Sequence, residues 1–218
     1  MPSAGRCRLR HNRVMSTPRP AGTATYRRSV GTARALQRRK QLLDRVTDDL
    51  AENGLADFSL RRAARAAGTT HKVLLYHFDG IEDLLRQALL GLRDRRIDNA
   101  LVTARTLPTL AERVRAIWPV LADDATGLRV IDQAIGLAMY DPDRYRHLAR
   151  DAADQYIKPL ESLCPPHWEE SRRREVAEFT LATLRGFLVE WRTSRDSERI
   201  EAGLAALERA LDREEAAA

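Results

Sequence analysis

The sequence predicts an all-α fold. From Ala33 onward apolar residues recur at helical spacing with few interruptions. Capping residues punctuate that pattern at intervals of one short helix or one long one. No stretch alternates apolar and polar residues for long enough to read as a strand. The expected architecture has about nine helices, in which an N-terminal three-helix unit precedes a larger helical bundle. The chain divides as a disordered basic arm over 1–31, a compact unit over 32–79, and a helical bundle over 80–218.

The arm comes first. Pro2, Pro18 and Pro20, with Gly5, Gly22 and Gly31, break any helical period there. Arg6, Arg8, Arg10, Arg13, Arg19, Arg27, Arg28, Arg34, Arg38, Arg39 and Lys40 all precede the first acidic residue, Asp44. A basic segment without counter-charge attracts phosphate or an anionic surface. A solvated tail, or a start at Met15, is the alternative. An organellar leader fits less well, because prolines and glycines stand where an amphipathic helix needs helix formers.

The first helix carries Leu36, Leu43, Val46 and Leu50 on one stripe and ends at Asn53-Gly54. Ser59 caps a short second helix, with Phe58 and Ala63 forming a hydrophobic staple. Gly68 ends it, and Thr70 caps a third helix that runs to about His77. Asp79-Gly80-Ile81-Glu82 has capping-box spacing and opens a fourth helix with Ile81, Leu85, Ala88 and Leu92 inward, reaching about Arg105. Thr109 and Glu112 form another capping box ahead of a fifth helix that contains Pro119. A sixth helix covers about Thr126 to Met139. Asp141-Pro142 starts a seventh that runs to about Leu163. The eighth covers about His167 to Thr193, and the ninth about Asp196 to Asp212.

The eighth helix is apolar over most of its circumference. Only Arg174, Glu178, Arg185 and Arg192 make a consistent polar strip. Such a helix is central in its own fold or covered by a second chain. With the ninth, it forms the expected homodimer interface through Phe179, Ala182, Gly186, Leu204, Leu207 and Leu211.

The segment "FSLRRAARAAGTTHKVLLYHF" (58–78) carries the functional argument. Ala64, Gly68 and Leu74 stand at i, i+4 and i+10. Ala64 leaves room for a second helix, Gly68 can take the positive φ of a sharp turn, and Leu74 reaches back into a shared core. That is the spacing of a helix-turn-helix, whose second helix enters the DNA major groove. The outward side of that helix collects Thr70, His71, Lys72, Tyr76 and His77. Their hydroxyls, ammonium and imidazoles suit phosphates and base edges. With Arg34, Arg38 and Ser59 they form the expected DNA-binding set.

Residues 36–92 resemble the DNA-binding domain of TetR-type transcriptional repressors. The resemblance rests on Leu43, the helix end at Asn53-Gly54, "FSLRRAARAAG" (58–68), "YHF" (76–78) and "EDLL" (82–85). Beyond these residues only the succession of helices is similar. The resemblance implies a homodimer on a palindromic operator in double-stranded DNA, released by a small-molecule effector in the C-terminal bundle, and aromatic residues with a few hydroxyls there suggest that the effector is apolar or amphipathic. The two distant cysteines point to a reducing compartment, and a cytoplasmic location is expected. Three positions depart from the family pattern: Leu75 stands where a tyrosine is usual, Ile81 where a lysine often meets phosphate, and Lys72 where glycine is frequent. The effector pocket is expected among Trp118, Met139, Tyr140, Tyr145, Tyr156 and Phe179.

Other classes fit less well. His11, His71, His77, His147 and His167 have no metal-ligand or triad spacing, and no glycine-rich phosphate loop occurs, so no enzyme, metal or cofactor is expected. Cys7 and Cys164 are too few and too far apart for a disulfide framework. No apolar run is long enough for a membrane span. A helical adaptor that binds only protein is the alternative function. It accounts for the last two helices but not for the basic, capped pair of short ones.

Overall fold

Helix α1 (Ala33–Asn53) begins the ordered architecture of the computed structural model, which describes residues 32–123, 128–150 and 152–217. The basic arm over 1–31 and the expected helix start at Thr126 lie outside the described residues. After α1 come α2 (Leu60–Ala66), α3 (His71–His77), α4 (Ile81–Ala104), α5 (Leu110–Ala122) and α6 (Leu128–Tyr140). The rest are α7 (Pro142–Ala149), α8 (Ala152–Glu161), α9 (Glu170–Ser194) and α10 (Ser197–Ala216). The described residues are helical or connecting, with no strand. The segment expected as one seventh helix is described as two, α7 and α8.

Local chemistry places most of these ends. Thr32, Ser59, Thr70, Thr109, Asp141 and Asp196 each accept a hydrogen bond from the backbone N–H of the third residue of the helix they precede. The Thr109–Glu112 capping box forms in full. The box expected at Asp79–Glu82 does not. Helix α4 starts one residue later, so its N-cap is Gly80, which has no side chain to offer. The third helical residue, Asp83, accepts from the Asp79 N–H at 3.2 Å.

Two hydrophobic cores result. The first joins Leu42, Val46 and Leu50 of α1, Ala63 and Ala67 around α2, Leu74 and Phe78 around α3, and Leu84, Ala88 and Leu89 of α4. Val130, Ile131 and Ala134 of α6 close it from the far side. Leu36, expected on the buried stripe of α1, is 55% exposed, because the first turns of α1 extend past this core. The second core joins the last turns of α4 to α5, α8, α9 and α10. Helix α4 therefore belongs to both, and its 24 residues span about 36 Å. The expected boundary at residues 79–80 falls at its first turn, ahead of the stretch that packs under α1–α3.

The second core also settles the fate of three leucines. Leu204, Leu207 and Leu211, expected on a dimer face, are at most 4% exposed and lie inside the protomer. Helix α10 packs on α5 as well as α9, so its apolar stripe is already covered. Gly203 lets α10 approach α9: a Cβ there would stand 2.5 Å from Cε1 of Phe187.

Candidate nucleic-acid interface and buried cavity

The three-helix unit is held by side chains that the apolar pattern does not reveal. Arg62, on α2, donates from Nε to Asp49 Oδ2 at 2.8 Å, from Nη1 to the Ala56 carbonyl at 2.7 Å and from Nη2 to the Gly54 carbonyl at 2.9 Å. It thereby satisfies carbonyls left over at the end of α1 and in the following loop. The pair with Asp49 is sheltered, with side chains 16% and 19% exposed. Arg62→Ala strands those acceptors and is expected to cost about 2 kcal/mol, measured by urea unfolding. Arg61→Ala, on an exposed neighbour, should stay within about 0.5 kcal/mol.

Gly68 has φ 63°, the left-handed conformation required for the turn between α2 and α3. The Thr69 N–H donates to the Ala64 carbonyl at 2.9 Å, and Arg45 Nη1 donates to the Ala67 carbonyl at 3.1 Å. Leu74 is wholly buried beneath α3, and Phe78 is 3% exposed. With its underside fixed this way, α3 turns Thr70, His71, Lys72, Leu75 and Tyr76 outward, all exposed. The expectation of an outward polar face thus describes these four polar residues well. Ser59, Arg34 and Arg38 are exposed as well.

Two residues of the expected basic and polar set are placed differently. His77 is half-buried, its ring edge-on to Tyr76 at 5.0 Å. Burial, and then the neighbouring charges of Arg39 and Arg38, lower its pKa below the ordinary value. Its backbone carbonyl accepts from Arg39 Nε at 3.0 Å. His77 sits at the C-terminal end of α3, where the helix meets α1, so it shapes the unit rather than offering an outward donor. Arg39, grouped with Arg34 and Arg38 by sequence, lies over the Phe78 ring at 4.8 Å and donates to Gln87 Oε1 at 2.7 Å. It ties α1 to α3 and α4.

Two cations were missed. Arg61 and Arg65 line an open groove between α2 and α3 together with Ala64, Thr69, Thr70 and His71, and both are exposed. Their spacing of four puts them on one side of α2. That signal is visible in "SLRRAAR", although the expected DNA-binding set does not include either arginine.

A second feature lies inside the bundle. A cavity of about 70 Å³ is bounded by α4, α5, α6, α8 and α9, with walls that include Ile97, Leu101, Ile135, Leu181 and Leu184. Of the expected pocket residues only Tyr156 lines it. Trp118 packs edge-on against Phe187 at 6.4 Å. Tyr145 packs on the first core. Met139 and Tyr140 are 80% and 88% exposed, because they occupy the last turn of α6, beyond the contacts that bury Ile131 and Ala134. Phe179 is 47% exposed on the outer side of α9. Three polar wall residues were not expected: Arg96, Asp132 and Arg185. Asp132 Oδ2 accepts from Arg192 Nε at 3.2 Å. Of the polar strip read in sequence on α9, Arg185 lines the cavity and Arg192 is drawn into the pair with Asp132.

The outer side of α9 is apolar. Phe179, Ala182, Gly186 and Val189 recur at helical spacing and are all exposed. A Cβ on Gly186 would meet nothing within 4 Å. Among the described residues no cluster of three or more His, Cys, Asp or Glu side chains is placed to hold a metal ion, and no helix is long and apolar enough to cross a membrane.

No protein-family model matches the chain, and no curated protein matches it. Solved structures do. A protein assigned as a transcriptional regulator from Streptomyces coelicolor A3(2) is 26% identical, with a TM-score of 0.62 over 80% of this chain and 98% of that one. A protein from Rhodococcus sp., assigned to the TetR family of transcriptional regulators, is 18% identical, with a TM-score of 0.60 over 81% of this chain and 97% of that one. The multidrug binding protein EbrR, complexed with ethidium, is 21% identical, with a TM-score of 0.60 over 80% and 98% of the two chains.

Proposed function

We propose that this chain, whose fold is that of the TetR-type transcriptional regulators, is a ligand-responsive DNA-binding regulator that represses as a homodimer on a palindromic operator. The observation that carries the reading is the exposed cationic and hydroxylic surface of α2 and α3. A wholly buried Leu74 underpins it, and a positive-φ turn at Gly68 sets it.

On this reading Thr70, His71, Lys72 and Tyr76 enter the major groove, while Arg61, Arg65, Arg34 and Arg38 meet the flanking phosphates. Leu75, 49% exposed, offers an apolar surface that suits a thymine methyl group. Ser59 serves first as a cap, since its hydroxyl already accepts from the Arg62 N–H at 3.3 Å. The dimer forms on the apolar stripe of α9. A two-fold axis there brings Phe179 and Gly186 against their own copies.

Effector binding acts through two helices. Helix α4 lines the cavity with Ile97 and Leu101 and supports α3 with Leu84. Helix α6 lines the cavity with Ile135, and its Gln133 side chain accepts from the Leu55 N–H at 2.9 Å in the loop between α1 and α2. A ligand that wedges α4 from α6 changes the seat of the recognition unit. It thus favours the DNA-free state by differential affinity.

The test is a mobility-shift titration on the region upstream of the protein's own coding sequence, across a salt series. Lys72→Ala removes one phosphate or base contact from each protomer. It is expected to weaken binding and to flatten the salt slope by about 2. Unchanged affinity and slope would remove Lys72 from the interface. Absence of any sequence preference in the wild type would favour the adaptor reading.

A further inference from the structure

The cavity walls are apolar except for Arg96, Arg185, Asp132 and Tyr156, and neither arginine of the wall has a carboxylate partner within ion-pair distance among the described residues. Arg96 is 6% exposed, and its buried Nε has no hydrogen-bond partner among the described residues. The Arg185 guanidinium lies 5.8 Å from the Tyr156 ring centre. The Tyr156 hydroxyl is also buried without a partner among the described residues. The remaining charges nearby are already engaged. Asp132 is held by Arg192 at 3.2 Å, and Glu178 by Arg174 at 3.3 Å on the outer side of α9.

Two like charges facing an apolar space are costly, because burial strips their hydration and each disfavours the other. Burial lowers the pKa of Arg185, and Arg96 lowers it further, while Tyr156 and Glu178 oppose the shift. A guanidinium remains charged at neutral pH even so. An anion placed between the two satisfies both, and the tyrosine hydroxyl can donate to the same oxygen atoms.

We propose that the cavity takes an amphipathic carboxylate. Its head is held by Arg96, Arg185 and Tyr156, and its tail lies along Ile97, Leu101, Leu181 and Leu184. The proposal rests on the effector-binding reading above and gives that effector a charge. It also separates this chain from EbrR, which was solved in complex with ethidium, a cationic dye. At about 70 Å³ the cavity holds the head and little more, so the tail enters by parting the apolar walls of α4, α6 and α9.

The test is calorimetric titration of the full-length protein, free of DNA, with decanoate, 1-decanol, decyltrimethylammonium and ethidium. Decanoate is expected to bind at least about tenfold more tightly than either cation, a margin of about 1.4 kcal/mol. Arg96→Gln combined with Arg185→Gln is expected to weaken decanoate at least about tenfold while moving decanol less than about threefold. Arg96→Lys with Arg185→Lys keeps the charges and should recover most of the decanoate affinity. If the double glutamine variant fails to fold, Arg185→Gln alone gives the same reading at a less buried site. A cation that binds as tightly as decanoate overturns the proposal. So does a glutamine variant that keeps decanoate affinity within about twofold, or a wild type that ignores decanoate. Operator binding is measured apart from these titrations. A protein that shifts DNA but ignores decanoate loses only this inference, and one that binds decanoate without recognising DNA loses the regulator reading.

Discussion

Leu74→Ala is expected to destabilise the three-helix unit by about 2–5 kcal/mol and to abolish operator binding. Leu74 is the side chain through which α3 is anchored. It is wholly buried, in contact with a core drawn from α1, α2, α4 and α6. Truncation leaves a cavity that short helices cannot collapse around without moving α3 itself. The loss should be local. Trp118, Trp168 and Trp191 belong to or pack against the second core, so their fluorescence reports on that core. Amide exchange measured by mass spectrometry should show lost protection across residues 33–77, with the tryptophan transition displaced much less. Equal destabilisation of both cores would mean that α4 couples them into one cooperative unit.

The second large effect concerns pairing. Phe179→Glu with Val189→Glu is expected to leave a folded monomer at micromolar concentration. Phe179 and Val189 are 47% and 65% exposed, so the substitutions disturb little inside the protomer. Across a two-fold axis they place four carboxylates on a face that otherwise buries apolar surface at about 25 cal/mol per Å². Sedimentation should give the monomer mass. Operator affinity should fall by about 10²–10⁴, the avidity lost when two linked half-site contacts become one. A dimer that survives would place the interface elsewhere, for example on the polar outer face of α10, where Glu198, Glu201 and Ala202 line a shallow depression.

How much of this was legible in the sequence depends on the range of the chemistry involved. Caps are local, so Ser59, Thr70, Thr109 and Asp141 could be read directly, and the structure forms each one; Asp196, expected only as the approximate start of the last helix, caps it as well. The turn at Gly68 follows from a single residue's backbone freedom. The box at Asp79 was misread by one position, because Gly80 and Asp79 both fit as the residue before a helix. Burial over longer distances was harder. Leu204 and Leu211 have the pattern of an apolar face whether another chain or α5 covers it, and periodicity cannot tell the two apart. The cavity was least legible. Aromatic residues were expected around it, but Met139 and Tyr140 fall on the final turn of α6, and only Tyr156 reaches the wall. Arg96 and Arg185 look like surface arginines in a charged chain. Only the meeting of α4, α8 and α9 makes them inward residues. The clamps made by Arg39 and Arg62 were hidden for the same reason, since the acceptors of Arg39 lie 38 and 48 residues away and those of Arg62 up to 13.

The most direct measurement is selection of bound sequences from random duplex DNA, followed by hydroxyl-radical footprinting of the selected site with the wild-type protein. A homodimer with two recognition helices should select an inverted repeat, with two protected tracts on one face of the duplex whose centres lie about 34–36 Å apart. Selection of no common sequence, or a footprint with a single tract, would contradict it.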